Sequence, residues 1–124
     1  MERLILPIPP SVNGLYKPSG RGVYKSRAAI RWQKDVAILA SSWRNRTRWI
    51  PTTERKVIAN IWTYWPDNKI HDTHNLYKVL FDGLEGILYD NDFWVIVRQQ
   101  DFSVDSDNPR VEIALELFTA EVPI

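Results

Sequence analysis

Two short clusters of polar side chains in the second half of the sequence carry the chemical groups that bind divalent cations. Their members are His71, Asp72, His74 and Asn75 in the first cluster and Asp90, Asn91 and Asp92 in the second. Magnesium takes oxygen ligands and is commonly held by one or two carboxylates together with substrate phosphate. A cation held in this way can activate water and neutralise phosphate charge during phosphodiester hydrolysis. Asp and Asn are also favoured at helix N-caps and in tight turns, so capping and turn chemistry is the competing interpretation.

A predicted helix separates the two clusters. Apolar residues from Leu76 to Ile87 recur at helical spacing, which predicts a helix over about residues 74–84 with Asp72 as its N-cap and Gly86 as its end. A helix of about 12 residues is roughly 18 Å long, so its two ends lie far apart unless the chain turns back. We expect the clusters to meet only if the strand that follows Gly86 packs beside the loop before Asp72.

The remaining patterns predict one domain over residues 1–124. Strands are predicted over residues 3–6, 56–65, 93–102 and 110–118, the last with regular alternation of apolar and polar side chains. A long helix is predicted from a cap at Ser26 to about Arg48. These elements indicate an α/β fold of the α+β type, with a mixed, mostly antiparallel sheet of about four strands and two main helices.

The net charge of +1 hides a division along the chain. From Lys17 to Lys56 eleven basic residues face two acidic ones, whereas from Asp67 onward four basic residues face twelve acidic ones. A phosphate-binding surface beside a carboxylate-rich site would give these counts, and so would a solvated helix beside an acidic sheet edge. The segment from Ser11 to Lys25 is predicted to be a mobile basic loop. The candidate DNA-binding residues are Asn13, Lys17, Arg21, Lys25, Arg27, Arg31, Lys34 and Lys69.

Composition excludes several kinds of site. The absence of Cys removes disulfide frameworks, Cys-ligated zinc, iron–sulfur clusters and thiol nucleophiles, so any metal must be bound by Asp, Glu, Asn or His. No apolar stretch reaches the roughly 20 residues of a membrane span, and Pro7, Pro9 and Pro10 break the apolar N-terminus. We therefore expect a cytoplasmic protein with no membrane partner and no organic cofactor.

Taken together, the motifs resemble those of the RusA family of endodeoxyribonucleases. The signature of that family is Asp-x-Asp-Asn-x-x-Lys opening a helix, then Phe-Asp-Ala-Leu, a Gly, and an Asp-Asp pair before a strand. The matching positions are Asp72-Thr73-His74-Asn75 with Lys78, then Phe81-Asp82-Gly83-Leu84, Gly86, and Asp90-Asn91-Asp92. The segment Pro9-Pro10-Ser11-Val12-Asn13 is similar to the Pro-Pro-Ser-x-Asn opening of the family, so the resemblance runs over most of the chain.

The resemblance implies a magnesium-dependent endonuclease that resolves four-way DNA junctions as a homodimer. It assigns Asp72 and Asp92 to the catalytic magnesium and Lys78 to catalysis. Two positions depart from the family pattern. His74 stands where the second Asp of the helix motif is usual, and Asn91 stands where the first Asp of the pair is usual.

Both departures remove negative charge from the predicted site, and Asp90 is the candidate to supply the missing carboxylate. The predicted metal ligands are therefore Asp72, His74, Asp90 and Asp92, and the predicted catalytic residues are Asp72, His74, Lys78 and Asp92. We expect the amides of Asn75 and Asn91 to lie beside these ligands. Manganese is an expected substitute for magnesium, because imidazole suits transition metals better.

Two other functions are compatible with the same residues. A catalytically weakened protein would dock branched DNA through its basic loop and helix without cutting it. A small interaction module would instead use some of the six Trp residues to bind another protein. Metal-dependent cleavage of a junction distinguishes the enzyme from the weakened protein, and salt-sensitive DNA binding counts against the interaction module.

Overall fold

The computed structural model describes residues 2–10, 16–19 and 22–119, with residues 16–19 and 22–25 described by their backbone alone. The strands are β1 (Leu4–Leu6), β2 (Tyr16–Ser19), β3 (Gly22–Lys25), β4 (Val57–Trp65), β5 (Val95–Val104) and β6 (Arg110–Leu117). Four of them form one sheet in the order β1–β6–β4–β5, and β2 pairs with β3 in a separate hairpin. In the sheet, β4 and β5 are parallel and the other neighbours are antiparallel. The predicted α+β fold with a mixed sheet is confirmed.

Two helices cover one face of this sheet. Helix α1 (Arg27–Thr47) begins at Ser26, whose hydroxyl accepts a hydrogen bond from Ala29 N, as the sequence predicted. Helix α2 (Thr73–Leu84) begins at the cap residue Asp72. Neither helix in the described part of the chain combines the length and the apolar character needed to cross a membrane.

The core lies between the helices and the sheet. Alternate residues of β4 are fully buried beneath the helices, among them Val57, Ala59 and Ile61. The intervening residues face the other side, where Arg3 lies 3.5 Å from the ring centre of Trp62. This alternation is the expected pattern for a sheet with one covered face, and the same alternation in the sequence of β6 made that strand predictable.

Helix α2 connects two parallel neighbours, and this connection places the candidate residues. Val57 pairs with Val95 at the start of β4 and β5, and Trp65 pairs with Val104 at their ends. Asp72 follows the end of β4, whereas Asp92 precedes the start of β5. Parallel strands rise about 3.3 Å per residue, so these two ends of the sheet lie roughly 26 Å apart.

Two details of the predicted elements differ from the structure. The predicted mobile loop contains the hairpin of β2 and β3, because the two strands pair from Tyr16 with Lys25 to Ser19 with Gly22. Strand β5 spans Val95–Val104 rather than residues 93–102. It begins later because the chain first forms a short 3₁₀ turn over Asp92–Trp94, and it ends later because pairing with β4 continues to Val104. Local turn formation therefore displaces the start of the strand that the apolar run suggested.

Candidate active site

The carboxylate of Asp72 caps the N-terminus of α2. Its Oδ1 accepts hydrogen bonds from the backbone nitrogens of His74 at 3.0 Å and Asn75 at 3.2 Å. Both bonds end on the same oxygen, so Oδ2 makes no hydrogen bond within the described part of the chain. Because the side chain is also exposed to solvent, Asp72 can cap the helix and still present one oxygen to a cation.

Three neighbours on the first turns of α2 are exposed beside this cap. His74, Asn75 and Lys78 all reach solvent. Lys78 lies four residues after His74, so the two side chains share a face of the helix. The spacing of Lys78 and Asp82 would also allow an ion pair along the helix, and none joins them in the described structure. The ammonium group of Lys78 is thus available to a ligand near Asp72.

A recess of about 180 Å³ opens beside the cap, bordered by Pro9, Pro10, Trp65, Asp72 and Leu76 among others. The chain therefore brings the Pro-Pro segment of the N-terminus next to the first polar cluster, a proximity that the sequence analysis did not predict. The two segments are far apart in sequence, and β1 and β4 in the same sheet position them together.

The imidazole of His71 contacts two residues that precede α2. Its ring stacks on Trp65 with the ring centres 4.2 Å apart, and Nε2 lies 2.8 Å from Oδ1 of Asp67. The hydrogen bond from His71, helped by the backbone N–H of Lys69, lowers the pKa of the Asp67 carboxyl below its ordinary value. These contacts agree with a loop-stabilising role for His71, which was not among the predicted ligands.

Turn hydrogen bonds organise the second cluster. Oδ2 of Asp90 accepts from Glu54 N at 3.0 Å, and Oδ1 of Asn91 accepts from Phe93 N at 2.8 Å. The backbone nitrogen of Asp92 donates to Oε1 of Glu85 at 2.8 Å, and its own side chain is exposed. Asp90 and Asn91 thus have local partners, while the exposed carboxylate of Asp92 has none among the residues that the structure describes.

Glu85 and Tyr89 are additional members of the second cluster that sequence reasoning did not single out. Tyr89 is buried, and its hydroxyl donates to the carbonyl of Phe81. Burial raises the pKa of this hydroxyl far above its ordinary value, and the negative charges of Asp92 and Glu85 add to the effect. The influence of both carboxylates on Tyr89 indicates that negative charge gathers at this end of α2. No pattern in the sequence marked either residue, because their contacts depend on how the chain turns after Gly86.

Within one chain the two clusters do not meet. They lie at opposite ends of α2 and at opposite ends of the β4–β5 pair. In the described residues, no three His, Asp or Glu side chains come together in a way that could hold a metal ion. The expected approach of Asp72 and Asp92 through a turn of their own chain is not what the fold provides, because β5 runs parallel to β4 and starts at its far end.

The basic start of α1 lies at the same end of the molecule as Asp72. Trp32 Nε1 donates to the carbonyl of Pro7, and Trp43 Nε1 donates to that of Glu2, so α1 runs antiparallel to β1. Its N-terminal turns therefore lie near Pro9 and Pro10, which border the recess at Asp72. Arg27, Arg31 and Lys34 are exposed there.

The other candidate DNA-binding residues divide into two groups. Lys69 is exposed in the loop between β4 and α2, close to the cap residue Asp72. Asn13 and Arg21 lie outside the described residues, and Lys17 and Lys25 are described by their backbone alone. The DNA-binding roles of these four residues therefore stay predictions.

A comparison with models of protein families identifies a match that covers most of the chain. The family model described as endodeoxyribonuclease RusA matches residues 7–116, from the Pro-Pro segment to the next-to-last residue of β6. A search of curated proteins found none that matches the chain.

Proposed function

Because the chain belongs to the RusA endodeoxyribonuclease family, we propose that it resolves four-way DNA junctions by metal-dependent hydrolysis of phosphodiester bonds. The observation that carries this proposal is the exposed carboxylate of Asp72, which keeps one oxygen free at the basic end of the molecule. A carboxylate in that position would repel DNA unless a cation lay between it and the phosphate. The basic residues around Asp72 would attract the phosphate backbone of the DNA, to which the cation would bind.

At the basic end of the molecule, Asp72 and His74 would hold the cation. Asp92, which lies at the opposite end of α2 in the same chain, would have to come from a second subunit. Their donor set fits a divalent ion, since it combines carboxylate oxygen with imidazole nitrogen. When bound, such an ion supplies an activated water and stabilises charge on the phosphate and the leaving oxygen.

Lys78 would act on the phosphate directly. Its ammonium group lies one helical turn from His74 on an exposed face, where it can offset the negative charge that develops during hydrolysis. Asn75 holds the cap through its backbone N–H, and its exposed side-chain amide, which has no hydrogen-bond partner among the described residues, would orient a ligand. Arg27, Arg31 and Lys34 would bind the DNA arms without reading their sequence.

A homodimer would join the two halves of the site. If a twofold axis relates two subunits whose α2 helices point in opposite directions, the Asp92 end of one subunit lies at the Asp72 end of the other. Two such composite sites would then be related by the same symmetry as the two strands to be cut. Asp90 of the same subunit as Asp92 would lie beside it and add negative charge near the cation.

A second candidate function is junction binding without cleavage. It is favoured by the lack of a complete acidic cluster in the described part of one chain and by His74 at a position where Asp is usual. Under this alternative the basic end docks branched DNA and no composite site forms. Cleavage with added metal distinguishes the two functions.

The decisive experiment incubates the purified protein with a labelled mobile four-way junction, with magnesium, with manganese and with a chelator. We expect paired nicks at symmetric positions in either metal and none with the chelator. A linear duplex of the same sequence and the Asp72→Asn variant serve as controls. Tight junction binding without nicks in any metal would support the binding protein, and equal cutting of the linear duplex would contradict junction selectivity.

A further inference from the structure

The recess beside Asp72 has apolar walls that the proposed hydrolysis does not use. The apolar residues that border it are Ile8, Pro9, Pro10, Trp65, Pro66 and Leu76. Such walls offer no hydrogen bonds to a phosphate group, and burying a charged group against them would cost free energy. A cavity of about 180 Å³ with this lining, next to the carboxylate that would hold the cation, therefore suits a different part of the substrate.

Several contacts hold the walls of the recess in place. The carbonyl oxygen of Pro7 accepts a hydrogen bond from Nε1 of Trp32 at 3.0 Å, and the prolines that follow have a fixed φ. The indole of Trp65 is buried and stacks on the imidazole of His71. Asp72 is tied to the first turn of α2 by its cap. A recess that is formed in advance loses little conformational freedom when a ligand enters.

The side-chain amide of Asn75 supplies polar groups at this recess. Asn75 borders the cavity, its side chain is exposed, and no described residue forms a hydrogen bond with its amide. A primary amide offers both donors and an acceptor, which is what the edge of a nucleobase requires. Apolar walls combined with a few polar groups are typical of sites for small ring systems.

We propose that this recess binds one unstacked nucleobase, from a nucleotide next to the phosphate that is bound at Asp72. Its volume is below the roughly 300–1,000 Å³ of pockets for drug-sized ligands, so it suits a single base and not a base pair. A base is uncharged, with apolar faces for the proline and indole walls and a polar edge for Asn75. Only the sugar separates a base from its phosphate, so a phosphate at Asp72 places a base at the border of the recess.

Such a site would favour branched DNA at the point of cleavage. A base that is paired and stacked in a linear duplex cannot enter the recess until it is extracted, and extraction costs least where pairing is already interrupted. The centre of a four-way junction interrupts both pairing and stacking. This inference deepens the proposed function and rests on it for the identity of the substrate.

Fluorescence of 2-aminopurine, which is brighter when the base is unstacked, tests the extraction directly. The base analogue is placed in turn at each nucleotide around the centre of the junction, and the protein is added in chelator so that no strand is cut. We expect a rise of about threefold at one position in each of two symmetric strands. A linear duplex with one unpaired base should show a similar rise, and a fully paired duplex should show none.

Filling the recess tests where the base goes. Pro66 is exposed, so Pro66→Trp adds a large side chain to the border without disturbing the core, and Ile8→Trp does the same from the N-terminal segment. An abasic nucleotide at the position found by fluorescence should weaken binding to the wild type by about tenfold, because it removes the stacking surface. Both filled variants should bind the intact junction as weakly as the wild type binds the abasic one, and should not distinguish the two substrates.

Ile5→Trp is the matched control, since Ile5 is 53% exposed on the uncovered face of the sheet, and it should keep the full effect of the abasic nucleotide. Circular dichroism shows whether each variant is folded, and Pro66→Trp decides the test if Ile8→Trp is not. The proposal is overturned if no position brightens, or if the wild type binds abasic and intact junctions equally. It is also overturned if Pro66→Trp binds like the wild type, or if sedimentation shows that this variant changes only self-association.

Junction cleavage measured in parallel separates the two proposals. A protein that extracts the base into the recess but never cuts in any metal would contradict only the proposed hydrolysis. An enzyme that binds and cuts abasic and intact junctions equally well would contradict only the base-binding recess.

Discussion

Asp72 serves two purposes through different oxygens of one carboxylate. Oδ1 holds the first turn of α2, and Oδ2 is free for a cation. A substitution at this residue can therefore reduce activity by removing a ligand or by loosening the helix that carries His74 and Lys78. Variants that keep the cap but remove the charge separate the two effects, since Asn caps helices about as well as Asp.

For Asp72→Asn we expect cleavage to be lost while the free energy of unfolding changes by less than about 0.5 kcal/mol. For Asp72→Ala we expect the same loss of cleavage and a destabilisation of about 1 kcal/mol, because the cap is gone as well. Urea unfolding and junction cleavage measure the two quantities on the same preparations. An Asn variant that cuts at the wild-type rate would show that Asp72 is only a cap.

His74 should set the preference among metals. Replacing it with Asp supplies an oxygen ligand, so we expect the cleavage rate in magnesium to rise relative to the rate in manganese. The measurement is the ratio of initial cleavage rates in the two metals. His71→Asn is the matched control, since the imidazole of His71 is bound to Asp67, and its ratio should equal that of the wild type. Identical ratios for His74→Asp and wild type would remove His74 from the site.

At the scale of elements, Gly83 lets α2 approach α1 closely. A Cβ atom at this position would lie 2.7 Å from Cζ3 and 3.0 Å from Cη2 of the buried Trp32. The family pattern usually has Ala here, so the large indole and the missing methyl group compensate each other. Both helices must keep this spacing if the cap at Asp72 and the basic start of α1 are to lie at one end.

We expect Gly83→Ala to destabilise the fold by about 1–3 kcal/mol through overpacking, in spite of the better helix propensity of Ala. In a Trp32→Phe background the same substitution should cost less, because Phe lacks the ring atoms that the new methyl group would meet. A double-mutant cycle by urea unfolding measures this coupling. Additive effects would mean that the two helices shift apart to accept the methyl group.

At the scale of the whole molecule, the separation of Asp72 and Asp92 calls for a subunit-mixing test. Asp72→Asn and Asp92→Asn should each abolish cleavage as pure proteins. Mixed under exchange, they form heterodimers in which one composite site has both lesions and the other has neither. We therefore expect the mixture to nick a single strand of the junction, detected on a denaturing gel. A mixture as inactive as its parts, with heterodimers present, would place both carboxylates in one subunit.

The basic end of the molecule should account for the salt dependence of DNA binding. Replacing Arg27, Arg31 and Lys34 together with Gln removes positive charges that would otherwise release counterions from phosphate. We expect weaker binding to junctions and to linear duplex alike, with a slope of log affinity against log salt reduced by about 2–3. Replacing Arg44, Arg46 and Arg48 at the other end of α1 is the matched control and should leave the slope nearly unchanged. An unaltered slope in the first variant would locate the DNA on another surface.

The features that could be predicted from the sequence alone are local ones. The caps at Ser26 and Asp72, the bounds of α1 and α2 to within a residue or so, and the alternation of β6 follow from neighbouring residues. Family membership followed as well, because the motifs are short and ordered along the chain. Each of these features depends on hydrogen bonds or burial patterns that span only a few residues.

Only the tertiary structure decided where the two polar clusters lie. Their separation depends on the pairing of β4 with β5 in parallel, a non-local choice that no spacing along the chain encodes. The antiparallel alternative would have started β5 beside Asp72 and closed the site within one chain. The parallel pairing instead leaves Asp92 at the far end and β5 at the open edge of the sheet. Long-range strand order is set by how the whole apolar surface is buried, so it becomes visible only in the folded molecule.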